Sequence, residues 1–173
     1  MDKRKEVNRI VRESLAEALI YYMKIKPFGE ITVTEIITKA GVARATYYRN
    51  FESKEELARE YISSLANEFA RNHVAYGAID SYETIAHLLN YIDEHKDILT
   101  MYAKAGLADL IVDSLTDVSM YKIDKELYKT LDEDTFTIFI GGLYAFVRKW
   151  MLDGAKTPPE SVARAFYNVW HNR

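Results

Sequence analysis

Residues Thr32 to Phe51 read TVTEIITKAGVARATYYRNF, and the fold turns on this stretch. Val33, Ile36 and Ile37 recur at helical spacing and Ala40 continues the stripe, which predicts a short amphipathic helix. Thr32 stands just ahead of it with Glu35 three residues on. That is a capping box, in which hydroxyl and carboxylate satisfy backbone amides reciprocally. Gly41 supplies the backbone freedom to leave the helix, and Val42 is placed to pack beneath the turn. The second pattern, Arg44 to Asn50, carries Arg, Thr, Tyr, Tyr, Arg and Asn in nearly every position. A globular core has little use for such a helix, but a DNA groove does. Arg and Asn make bidentate contacts to base edges, while Thr, Tyr and Asn donate to phosphates. Two short helices across a tight Gly-containing turn predict a helix–turn–helix.

The stretch resembles the DNA-binding signature of the TetR family of bacterial transcription regulators. The resemblance is carried without gaps by Thr32-Val33-Thr34-Glu35-Ile36, Ala40-Gly41-Val42, Thr46-Tyr47-Tyr48, Phe51 and Ser53-Lys54-Glu55-Glu56-Leu57. It implies an all-α chain: a three-helix DNA-binding head over residues 1–54, and a helical effector-binding and dimerisation body over 55–173. A helix from 54 to about 71 would link the two. The resemblance further implies that the second short helix enters the major groove, with Arg44, Ala45 and Thr46 facing bases beside Thr34. It would set Thr32, Tyr48, Asn50 and Lys54 on phosphates. Tyr47 and Phe51 fit better as residues holding the head together from inside. Three positions depart from the family's common pattern. Ala43 stands where a capping Ser is frequent, Ala45 where Gly is common, and Asn50 where His is usual. The first removes about 1 kcal/mol of cap stabilisation. The second offers a methyl that could touch a thymine methyl.

Composition agrees with helices. The chain has 173 residues with only 3 Pro and 7 Gly, too few for a many-turned β fold. It has no Cys, which removes disulfides, thiolate metal sites and a Cys nucleophile together, and suits a reducing, cytoplasmic setting. The N-terminal MDKRKEVNRI has charge with no apolar run behind it, so a secretory signal is not expected. A net charge of −3 conceals an asymmetry. Residues 1–54 hold eleven Lys and Arg against seven Asp and Glu, whereas residues 55–173 hold twelve against nineteen. Positive potential thus gathers at the proposed DNA end.

Upstream, Val7, Ile10, Val11, Leu15, Ala18, Leu19 and Tyr22 form one stripe of a helix from Lys3 to Lys26, ended by Pro27 and Gly29. Lys3, Arg4, Lys5, Arg9 and Arg12 crowd its start. They read either as a solvated helix end or as a basic arm reaching phosphate. Downstream, Ser53 and Glu56 form a second capping box, and Leu57, Tyr61, Leu65 and Phe69 give the linking helix one face to bury. Asn72 to Ser81 reads as a break. Ile85, Leu88, Leu89 and Ile92 then mark one body helix, and Ile98, Leu99, Met101 and Tyr102 another. Leu107, Leu110, Ile111, Leu115 and Val118 mark a third. Tyr121 to Asp134 reads as a loop with helical fragments.

Phe136 to Val147, FTIFIGGLYAFV, is apolar nearly all round. Twelve residues are too few to span a bilayer, where about twenty are needed. Such a helix must therefore be covered on every side, one face by its own body and another by a second chain. Phe139, Gly142, Leu143 and Phe146 are the expected contact residues, with Phe166 and Trp170 on a last helix that starts at Pro158-Pro159-Glu160. The resemblance implies that these two helices and their symmetry mates form a four-helix bundle. Lys149-Trp150-Met151 through Gly154 to Pro159-Glu160 further resembles a short-bodied subgroup of the family, in which some members act as adaptors or activators.

His87, Tyr91, Met101, Tyr102, Tyr144 and Trp150 are aromatic or pliable, and serve equally as an effector pocket or as ordinary core. No metal, cofactor or enzyme activity is expected. His87 and His95 are eight apart, and the chain has no Gly-rich phosphate loop, nucleophile elbow or HExxH. The expected partners are a double-stranded DNA operator, a second copy of the chain and a small-molecule effector, with no membrane.

Overall fold

The computed structural model describes residues 3–73, 78–114 and 131–172. Every regular element among them is helical: α1 (Lys3–Met23), a 3-10 turn (Phe28–Glu30), α2 (Val33–Ala40), α3 (Arg44–Asn50), α4 (Lys54–His73), α5 (Tyr82–Glu94), α6 (Lys96–Lys104), α7 (108–114), α8 (Glu133–Leu152) and α9 (Pro159–His171). The loop expected over Tyr121 to Asp134 lies outside the described residues except for 131–134. So do Leu115 and Val118 of the third body helix, and 74–77 of the expected break. None of the described helices is long and apolar enough to cross a membrane.

The chain divides into two compact units, Met1–Ile62 and Ser63–Arg173. In the first, α1 packs along α2. Its core gathers Leu15, Leu19, Ile31, Ile36, Tyr47, Phe51 and Leu57, all fully buried. α1 stops at Met23, three residues before the boundary the apolar stripe predicts. Pro27 accounts for this, because it disfavours helical geometry in the residue ahead of it. The Thr32 capping box forms with both its bonds. Glu35 N donates to Thr32 Oγ1 at 3.2 Å, and Thr32 N donates to Glu35 Oε2 at 2.9 Å. At the other end of α2, Gly41 adopts φ 66°, ψ 28°, and Val42 N reaches back to Ile37 O at 3.0 Å. This left-handed exit is cheap for glycine and costly for residues with a Cβ.

In the second unit α5 packs along α9, and α8 meets both α6 and α9. Ser81 caps α5 through Thr84 N at 3.2 Å, and Asp132 caps α8 through Thr135 N at 2.9 Å. Pro159 opens α9 at its first turn, where its missing amide costs nothing. Ile85, Leu89, Tyr102, Phe139 and Ala163 are buried at the centre.

Candidate nucleic-acid interface

α3 is seven residues long, about 10 Å at 1.5 Å per residue. It buries only Tyr47 and leaves Arg44, Ala45, Tyr48 and Arg49 exposed, with Thr46 and Asn50 half-buried. The fold brings three of the predicted contact residues together. The Arg44 guanidinium lies 3.4 Å from Thr34 Oγ1 and 3.3 Å from the Tyr48 hydroxyl, and stands 5.4 Å above the Tyr48 ring. Each of its two terminal nitrogens donates once in these contacts, which leaves further N–H donors of its five for another partner. Ala43 takes the extended backbone of a cap residue, φ −66° and ψ 143°, yet gives α3 no side-chain bond.

Three residues expected on phosphates have donors engaged inside the head. Thr32 Oγ1 donates to Glu35 Oε2 at 2.8 Å as part of the α2 cap. Asn50 Nδ2 donates to Thr46 O at 2.8 Å. The Lys54 ammonium points at three backbone carbonyls, Phe28 O at 2.8 Å, Gly29 O at 3.2 Å and Ile31 O at 2.8 Å, and sits 4.7 Å from the Phe28 ring centre. A lysine has three N–H donors, so a phosphate would compete with the protein for each. Nothing in the sequence signals this use, because the partners are backbone atoms 23 to 26 residues away.

Charge around the head is equally local. Lys26 donates to both Glu35 oxygens at 2.7 Å, and with the Thr32 bonds this holds the Glu35 carboxyl down at about 2. Arg9 lies 2.6 Å from both Glu6 and Glu13, and Arg12 pairs with Glu60 while stacking on Phe51 at 4.9 Å. The first pairing was available from the i, i+3 and i, i+4 spacing; the second was not. Tyr47 is fully buried with its hydroxyl unpartnered, and burial pushes that phenol up to about 12.

The second unit holds the residues expected at an effector pocket and at a dimer interface. A cavity of about 70 Å³ lies in it, lined by aliphatic side chains such as Ile85, Leu88, Ile111 and Val147 and by the Phe69 and Phe139 rings, with Thr84 and Tyr144 bringing the hydroxyls among the described lining residues. Of the six residues expected at an effector pocket, Tyr144 alone lines this cavity. His87 and Tyr91 pack on the Phe69 ring at 6.2 and 5.3 Å, and the Tyr91 hydroxyl donates to Leu65 O at 3.0 Å. Tyr102 is fully buried in the core, Met101 is half-buried away from the lining, and Trp150 Nε1 donates to Thr157 O at 2.9 Å. The polar tips of Tyr91 and Trp150 are thus satisfied on backbone carbonyls. The expected dimer residues divide as well. Phe139, Leu143 and Phe166 are buried inside the single chain, so they have no surface left for a partner. Phe146 and Trp170 are half-buried, against Phe166 at 5.8 Å and Phe139 at 5.0 Å. Gly142 is exposed. The outward face of α8 and α9 instead carries Ile138, Gly141, Gly142, Ala145, Ala165 and Val169. Among the described residues no group of three His, Asp or Glu side chains is placed to hold a metal ion.

An α2 that buries Ile36 and Ile37 and an exposed polar α3, joined across a left-handed glycine, define a helix–turn–helix protein. Residues 23–61 match the family described as bacterial regulatory proteins, tetR family. The chain is 22% identical to YxbF of Bacillus subtilis (strain 168), an uncharacterized HTH-type transcriptional regulator, across 95% of its own length. It spans about half, 46%, of that relative. Among solved structures it is similar to the dihydroxyacetone kinase operon activator DhaS, with a TM-score of 0.59 and 19% identity over 92% of this chain and 93% of that one. At that identity the likeness concerns the fold.

Proposed function

We propose that the protein is a cytoplasmic, homodimeric repressor that sets α3 of each subunit in successive major grooves of a palindromic operator. The observation that carries this reading is the cluster of Arg44 and Tyr48 on α3 with Thr34 of α2, the other outward residues of α3 being polar or small. Arg44 would read a base edge, most readily guanine, with Ala45 and Thr46 beside it. Tyr48 would hold Arg44 and touch the backbone, and Thr32, Asn50 and Lys54 would shape the head from within or reach phosphate by exchanging their present partners. Pairing of subunits is assigned to the exposed face of α8 and α9. An effector would occupy the apolar cavity near Tyr144 and lower operator affinity, provided that it binds the DNA-incompetent arrangement more tightly. Activation is the second reading, favoured by the similar fold of an operon activator. An adaptor working mainly through protein contacts is the third.

Selection of bound duplexes from a random pool, followed by Arg44→Ala, tests the proposal. The substitution should cost about 1–3 kcal/mol on the selected sequence and flatten base preference. Equal losses on selected and random duplex would remove Arg44 from base reading. No duplex binding at low salt would leave the adaptor.

A further inference from the structure

The N-terminal half of α1 and the end of α3 border an open groove of about 910 Å³. Lys3, Arg4, Lys5 and Arg12 line it from α1, and Arg49 and Asn50 from α3. No Asp or Glu is among its described lining residues. Arg12 is met by Glu60 from outside the groove, and Arg9 of the same helix is turned to Glu6 and Glu13 and takes no part in it. The groove is thus positive because of residues 45 positions apart in sequence, not because of the α1 terminus alone. Val7 and Val11 give it an apolar lining, along which lysine stems can lie while their ammonium groups stay in water.

We infer that this groove seats the sugar–phosphate backbone of a duplex beside the bases that α3 reads. The inference rests on the DNA-binding reading above and adds a second, sequence-blind contact to it. Arg49 and Asn50 are five and six residues beyond Arg44, roughly 8 Å along the helix axis. A DNA strand carries a phosphate about every 3.4 Å of its axis, so a duplex held at Arg44 brings several backbone charges across that span. An open channel of this size suits a linear polyanion, because it does not converge on one small anion. The groove also decides between the two readings of the basic α1 start. Arg9 belongs to the paired surface, Arg12 lines the groove while paired to Glu60, and Lys3 and Lys5 are assigned to the contact.

The test uses the full chain carrying Lys3→Ala, Lys5→Ala and Arg49→Ala together, titrated with selected and scrambled duplex across a salt series. Affinity should fall at least tenfold and equally on both duplexes. The slope of log affinity against log salt should lose roughly 2–3 units, at about 0.9 per phosphate contact. A control with Lys3→Arg, Lys5→Arg and Arg49→Lys should keep the wild-type slope, and both variants should keep its circular-dichroism melt. An unchanged slope in the alanine variant, while Arg44→Ala still flattens base preference, overturns the groove and leaves the DNA reading standing. A wild-type chain that ignores both duplexes at low salt overturns the two together.

Discussion

Helices α3 and α8 are both expected, on sequence, to touch another molecule, and they differ in how much of that contact sequence can name. α3 is short and polar and buries one side chain, so nearly everything it carries faces outward. Arg44 and Tyr48 meet there, and Thr34 of α2 reaches the Arg44 guanidinium. α8 is twenty residues long and buries six of them, among them Phe139 and Leu143. An apolar run requires burial without stating which neighbour provides it. Most of the bulky residues went to the chain's own core, and Gly141, Gly142 and Ala145 were left on the outer face with Ile138.

The largest expected effect would test how self-contained the head is. Lys54→Ala removes the ammonium that serves three carbonyls, and should cost about 2–3 kcal/mol in urea unfolding. The salt slope of duplex binding should stay as in wild type. A slope lowered by about 0.9 with stability intact would return Lys54 to the phosphates. Next, Gly141 has nothing within 4 Å of where a Cβ would stand, although an exposed helical glycine costs about 1 kcal/mol relative to alanine. Gly141→Trp should therefore leave the subunit folded and weaken self-association at least tenfold, as read by sedimentation. A dimer as tight as wild type would move the interface off this face.

A smaller gain is expected at Ala43. Its backbone already has cap geometry, so Ala43→Ser should stabilise the chain by about 1 kcal/mol without a change in base preference. The smallest effect at neutral pH is Tyr47→Phe, within about 1 kcal/mol of wild type, because the deleted hydroxyl has no partner. It should show at high pH. The folded-state phenol titrates at about 12, above its ordinary value of 10.0. Its contribution is therefore complete below pH 10 and lost as pH rises through 12. Wild type should destabilise across that window, and Tyr47→Phe should lack that part of the slope.

Legibility follows the range of the interaction. The Thr32–Glu35 box and the Gly41 exit lie within five residues, and a local pattern states them; the caps at Ser81 and Asp132 are as local but fell where the sequence reads as a break and a loop. The apolar stripes give the helices for the same reason. The cavity lining and the three carbonyls on Lys54 join residues far apart in the chain, so spacing carries no trace of them. Aromatic character left the choice open at His87, Tyr91 and Trp150, since a ring with a polar tip packs into a core as readily as it lines a void.

The Lys54 ammonium does more than hold a loop. It fastens the first turn of α4 to the segment just ahead of Thr32, where the α2 cap begins. Any rotation at the base of α4 must then drag the root of α2 with it or break three bonds at once. A single protonated side chain thereby makes the start of one helix and the start of another turn as one piece, like two gears pinned on a common shaft.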